Sequence, residues 1–269
     1  MNKIVILTGD ELRHDFFRIF LSLSANIEVL KSYVEVPDKK IIDTITGHKL
    51  LELHLLGRAQ VETDFFDLFC KNSIDCSKPT TIIKGEINSE KYINEIIQLN
   101  PDLIISYGCS IIKSSLIKIF QKRFINIHLG LSPYYRGSGT NFFPFVNNEP
   151  EYVGVTFMYI DEGIDTGEII HQIRPLMNFS DNVHQIGNRL IKQMTEETLR
   201  IIEKFNCLQP LDQIEVDFNQ KKYYRKKDFT EKNVEQMLDN FKNNMILDYL
   251  EEKVVRDNQV PILQNPSLV

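Results

Sequence analysis

Apolar residues follow two rhythms along this chain. Short apolar runs of strand length occur at residues 3–8, 27–36, 80–84, 103–107 and 124–128. Between them the apolar positions recur at helical spacing, which predicts helices over 11–24, 89–99 and 114–121. Phe16, Phe17, Phe20 and Leu21 share one side of the first helix, and Ser89 stands where an N-cap belongs. Gly9 breaks the first strand and Pro37 closes the second. Residues 38–73 read as mostly helical, anchored by Leu50, Leu51, Leu55, Phe65, Phe66 and Phe69. That stretch is long for a simple crossover and reads as an insertion or a long helical arm. Alternation of short strands with helices predicts an α/β, Rossmann-like fold with a mostly parallel sheet.

The pattern changes after residue 128. A helix is predicted over 138–146, with its N-terminus toward a pocket, and strands over 152–160 and 168–174. Residues 181–206 carry Val183, Ile186, Leu190, Met194, Leu199 and Ile202 at helical spacing, the mark of a long amphipathic helix. Pro210 marks a boundary, so 1–208 is read as the main domain and 209–269 as a small C-terminal extension. The extension holds a strand and turn around 223–229, then a charged helix over about 231–255.

Candidate chemistry gathers in the middle of the chain. Asn126 and His128 stand two apart at the end of an apolar strand, so both point to one side. Ligands of such sheets sit beyond the carboxyl ends of the strands, which is where these two fall. Asp165 lies in a Gly-flanked turn between two strand-like runs. An amide donor, an imidazole and a carboxylate are the parts that acyl transfer requires.

The segment resembles the folate-dependent formyltransferases. Four ordered elements carry the resemblance: Asn126-Ile127-His128, Leu131-Ser132-Pro133-Tyr134-Tyr135-Arg136-Gly137, Gly154-Val155-Thr156 and Asp165-Thr166-Gly167. Their order is far more specific than one short motif. A weaker match extends over about residues 1–205. The resemblance implies catalytic roles for Asn126, His128 and Asp165. It implies N10-formyltetrahydrofolate as co-substrate, with no metal. It places the pterin against Ser110, Ile111 and Ile112 and against Asp161, Glu162 and Gly163. His128 would take the amine's proton or stabilise charge, Asn126 would donate to the oxyanion, and Asp165 would hold His128.

Composition narrows the partners. The chain has 269 residues, 42% hydrophobic and 25% charged, with a net charge of −6, which argues against a nucleic-acid footprint. Arg136 reads either as an anchor for an anionic substrate or as a surface Arg fixing its own loop. Arg13 and His14 are weaker candidates for anion contact. Cys70, Cys76, Cys109 and Cys207 form no CxxC, and His48, Glu52 and His54 lack the spacing of a metal site. The cysteines read as reduced and the compartment as cytoplasmic. No apolar run reaches membrane-spanning length, and the N-terminus meets Asp10 and Glu11 too early for a signal peptide.

Three branches of the resembled family compete. The glycinamide ribonucleotide branch needs a small-residue phosphate loop where this chain has Gly9-Asp10-Glu11-Leu12-Arg13. The methionyl-tRNA branch carries a longer C-terminal barrel and a basic surface. The branch that formylates nucleotide-linked amino sugars for surface polysaccharides fits best, with Tyr223 to Phe229 resembling its C-terminal strand and turn. The 38–73 insert is expected to shape the acceptor pocket. A formyltetrahydrofolate hydrolase and a catalytically inactive folate-binding protein remain as alternatives. The Tyr-rich tail and the 181–206 helix leave room for a homodimer, for which the sequence gives no interface.

Overall fold

A computed structural model describes residues 1–38, 45 and 47–268. Seven strands form one sheet: β1 (Asn2–Thr8), β2 (Ile27–Val36), β3 (Pro79–Ile83), β4 (Leu103–Tyr107), β5 (Phe124–His128), β7 (Val155–Tyr159) and β8 (Ile169–Ile173). Their order is β3-β2-β1-β4-β5-β7-β8. The first five are mutually parallel, β7 pairs antiparallel with β5, and β8 pairs antiparallel with β7. β6 (Tyr135–Gly137) and β9 (Lys222–Tyr224) form a separate parallel pair.

The sequence dictates this layering through side-chain alternation. On β1, Ile4 and Ile6 enter one core cluster with Phe16, Phe17 and Leu21. Val5 and Leu7 enter a second cluster with Ile96, Leu116 and Phe120 on the opposite face. A strand segment buried on both faces must be apolar, and β1 is from Ile4 to Leu7. On β5 the same alternation puts Phe124, Asn126 and His128 on one side and Ile125 and Ile127 on the other.

Several expected elements differ in extent. The first helix spans Leu12–Ser22. Ser89 occupies the N-cap position of Glu90–Leu99, but its side chain makes no cap bond. The expected 138–146 helix is a single turn, Phe143–Val146, because Gly139 and its neighbours fold into turns ahead of it. The expected charged helix splits into Glu231–Lys242 and Met245–Gln259, since Asn244 adopts a left-handed φ of 65°.

The insert is helical from Lys49 to Asn72, passing through one wide turn at Thr63–Asp67. Part of the predicted 38–73 arm, residues 39–44 and 46, lies outside the described residues. Phe66 anchors the arm by stacking on Phe16, ring centroids 4.6 Å apart. The C-terminal residues join the main core rather than sitting on it: Val234, Met237, Met245, Ile246 and Tyr249 belong to the larger cluster.

Candidate active site

β5 delivers Asn126 and His128 to the carboxyl end of the parallel strands, beside Ser106 of β4. The Ser106 hydroxyl lies 3.0 Å from Asn126 Oδ1, and a hydroxyl there can donate. That contact orients the amide, leaving its NH₂ group to face the cavity that Asn126 lines. An oxyanion donor needs that orientation.

His128 is 7% exposed and sits between two acceptors. Its Nδ1 is 3.2 Å from Asp165 Oδ1 and its Nε2 is 3.0 Å from the Tyr135 carbonyl oxygen. A neutral imidazole has one N–H, so only the doubly protonated ring donates at both ends at once. The ring can therefore take a proton from an amine only after releasing one of these contacts. Asp165 holds a left-handed φ of 53°, a conformation aspartate tolerates. Its other oxygen, Oδ2, accepts the Gly137 N–H at 3.0 Å. The turn closes tightly at Gly167, where a Cβ would overlap the Tyr159 carbonyl oxygen.

Two cavities meet at these side chains. The smaller, about 130 Å³, is lined by Ser110, Ile111, Ile112, Asp161 and Gly163, together with Asn126 and Asp165. Buried Glu35 fixes one rim: its carboxylate accepts Ser110 N–H at 2.5 Å, Ser110 Oγ–H at 2.7 Å and Gly85 N–H at 2.9 Å. Asn88 fixes the same loop through the Ile111 carbonyl (3.0 Å) and Lys113 N–H (2.7 Å). Asp161 organises the opposite rim by accepting Gly163 N–H at 3.0 Å and the Thr166 hydroxyl at 2.9 Å. Glu162 is not in the lining; it is exposed and 3.7 Å from Lys118. Cys109 borders both cavities, but burial, helped by Glu35, pushes its thiol up to about 12. That shift favours the protonated thiol at neutral pH.

The larger cavity, about 410 Å³, contains Asn126, His128 and Asp165 in its lining. The same lining includes Arg13, His14, His54, Arg58, Glu62 and His184. Glu62 accepts from Arg13 Nη1 at 2.6 Å and Arg58 Nε at 3.1 Å, so two guanidiniums share one carboxylate. The His54 and His184 rings lie 4.6 Å apart. Burial first, then His184 and Arg58, hold His54 down at about 3. Burial and Arg58 hold His184 at about 4. His14 lies well below its ordinary value through burial and the nearby Arg13, Arg18 and Arg58. All three rings are neutral at pH 7. His14 Nδ1 accepts Glu11 N–H at 3.2 Å, while its buried Nε2 has no partner among the described residues.

Residues 68–202, half of the chain, match the family model described as formyl transferase. The chain belongs to the formyl transferase family. A family relative, a methionyl-tRNA formyltransferase of Clostridioides difficile, is 32% identical over 148 residues, which are 52% of this chain and 45% of that protein. The chain spans about half the length of the curated relatives it matches. A sugar N-formyltransferase from Shewanella sp superposes with a TM-score of 0.53 at 20% identity, covering 85% of this chain and 78% of that one. A phosphoribosylglycinamide formyltransferase from Streptococcus pneumoniae does so with a TM-score of 0.53 at 17% identity, covering 77% of this chain and 99% of that one. At these identities the likeness is one of fold.

The family match contains Asn126, His128 and Asp165 but not Arg13, His54, Arg58 or Glu62. Of the residues picked from sequence, the fold brings together the first three, and Ser110, Ile111, Ile112, Asp161 and Gly163 around the smaller cavity. Arg13 and His14 line the larger one. Arg136 lines neither; it is the middle residue of β6, opposite Tyr223. Sequence reasoning missed Ser106, Glu35, Arg58, Glu62 and His184, and weighed His54 only as a metal ligand, for which its spacing is wrong. A signal existed for part of this set. His54, Arg58 and Glu62 recur every four residues, which places them on one face of a helix. Among the described residues no cluster could hold a metal ion, and no helix is long and apolar enough to cross a membrane.

Proposed function

We propose that this protein transfers the formyl group of N10-formyltetrahydrofolate to the amino group of a nucleotide-linked amino sugar. One observation carries the reading: two cavities meet at Asn126 and Asp165, so a donor in one and an acceptor in the other share the same groups. The smaller cavity offers backbone edges and apolar side chains suited to a pterin. The larger one combines the reacting groups with two arginines and three further imidazoles in its lining, which suits an anionic diphosphate.

The chemistry follows from the side chains. The neutral amine adds to the formyl carbon, forming a C–N bond and placing negative charge on the formyl oxygen. The Asn126 NH₂ group donates to that oxygen, and the imidazolium form of His128 supports the charge. The ammonium proton passes to Asp165, directly or through water. The C–N10 bond then breaks, the electron pair returns to N10, and a proton delivered from the same pair completes tetrahydrofolate. Residues 1–208 carry the reacting groups, and 209–269 form the extension that braces them.

The names of the sequence relatives favour a second reading, methionyl-tRNA as acceptor. The net charge of −6 stands against it, since a tRNA partner rewards a basic surface. The test is an acceptor panel: purified protein, N10-formyltetrahydrofolate, a set of nucleotide-linked amino sugars, glycinamide ribonucleotide and methionyl-tRNA, followed by mass spectrometry. Gain of one formyl group on an amino sugar alone supports the proposal. Transfer to tRNA alone, or formate release without any amine, rejects it.

A further inference from the structure

One short strand grips both members of the His128–Asp165 pair through its backbone. In β6, the Tyr135 carbonyl oxygen faces His128 Nε2 at 3.0 Å, and Gly137 N–H reaches Asp165 Oδ2 at 3.0 Å. β6 is three residues long, and among the described residues its strand partner is β9. The register is Tyr135 with Lys222, Arg136 with Tyr223 and Gly137 with Tyr224. Two flanking bonds extend the pairing: Lys222 N–H to the Tyr134 carbonyl at 2.7 Å and Ser138 N–H to the Tyr224 carbonyl at 2.9 Å.

Side chains seat β9 in turn. The Tyr224 ring lies flat on Phe143, centroids 3.7 Å apart and planes 4° apart. Its hydroxyl is 3.0 Å from Asn147 Nδ2, which donates to it. Lys222 pairs with Glu149 and reaches the Tyr135 hydroxyl at 3.2 Å. An isolated two-stranded ribbon is marginal in water, so the place of β6 depends on the seat of β9. A line of fixed contacts thus runs from Phe143 and Glu149 through β9 and β6 to the reacting pair.

We propose that Tyr224, through strand β9, is a positioning residue for the His128–Asp165 pair. Its kinetic consequence rests on the formyl-transfer reading; its structural consequence does not. Tyr224 and Lys222 line neither cavity, so loosening them removes no cavity-lining side chain and acts through the aim of the pair. Misplacing such groups by about 1 Å costs on the order of 10²-fold in rate.

The test compares Tyr224→Ala with Tyr224→Phe, which keeps the stacking ring. In histidine-labelled protein, the imidazole Cε1–H resonance of His128 is assigned by its absence from His128→Asn. In folded Tyr224→Ala that resonance moves, tetrahydrofolate Kd is unchanged, and kcat falls ~10²-fold at constant acceptor KM. Tyr224→Phe restores both the resonance and kcat. A His128 resonance that stays in place in folded Tyr224→Ala overturns the proposal, as does a kcat that falls only with the folded fraction. Should Tyr224→Ala not fold, Lys222→Met carries the same test, and an unmoved resonance there is equally fatal. A wild-type protein that formylates nothing rejects the reaction, while the resonance still decides the positioning.

Discussion

Asn126 is useful only in one of its two amide orientations. With its carbonyl toward the Ser106 hydroxyl, its NH₂ group faces the cavity. Asn126→Ala is expected to lower kcat by ~10²–10³, the cost of one oxyanion donor, with tetrahydrofolate affinity retained. Single-turnover formyl transfer measures this, and a rate within a few-fold of wild type would remove Asn126 from the chemistry. His54 and His184 yield a second expectation, of stability against pH. Their folded values of about 3 and about 4 lie below the ~6.5 of an unfolded histidine. Between those limits the unfolded chain binds more protons, so stability falls as pH drops below ~6.5 and the loss levels off near the folded values. By pH 5 each ring contributes a loss on the order of 1–2 kcal/mol. Urea unfolding at pH 7 and pH 5 should show the drop, and His54→Gln should reduce it; an identical drop in that variant would contradict the assignment.

At the level of elements, β6 is constrained more tightly than its three residues suggest. Gly137 has a φ of 94°, and a Cβ there would run into the Tyr224 carbonyl oxygen. Gly137→Ala therefore meets strain and a backbone clash together, a cost of about 1–3 kcal/mol from the strain alone. The expected result is a lower melting temperature and protection lost first at β6 and β9 in hydrogen exchange. Uniform loss across the sheet would show that the two strands do not open as a unit. The insert behaves differently. Its helix was legible from apolar spacing, and His54, Arg58 and Glu62 were legible as one face. That this face turns toward the His128 cavity depends on Phe66 packing against Phe16, a contact between residues fifty apart.

For the molecule as a whole, the net charge of −6 coexists with two arginines in one cavity lining. Arg13 and Arg58 both pair with Glu62 there, and Arg13 also pairs with exposed Glu11. Arg58→Ala is expected to raise the acceptor KM about ten-fold with kcat little changed, the mark of an interaction equal in ground and transition states. A fall in kcat at constant KM would place Arg58 in the chemistry instead. The strand–helix alternation determined the α/β class, the parallel strands and the strand end that carries Asn126 and His128, because alternation and periodicity are local properties of the chain. The order and spacing of Asn126, His128 and Asp165 likewise marked the family. Only the tertiary structure decided that β9 braces β6, that Glu35 holds the Ser110 loop, that Arg136 stays outside the cavities, and that an insert helix lines one cavity with Asn126, His128 and Asp165. Those facts rest on pairings between segments distant in sequence, and no local pattern encodes which distant surface a polar side chain will meet.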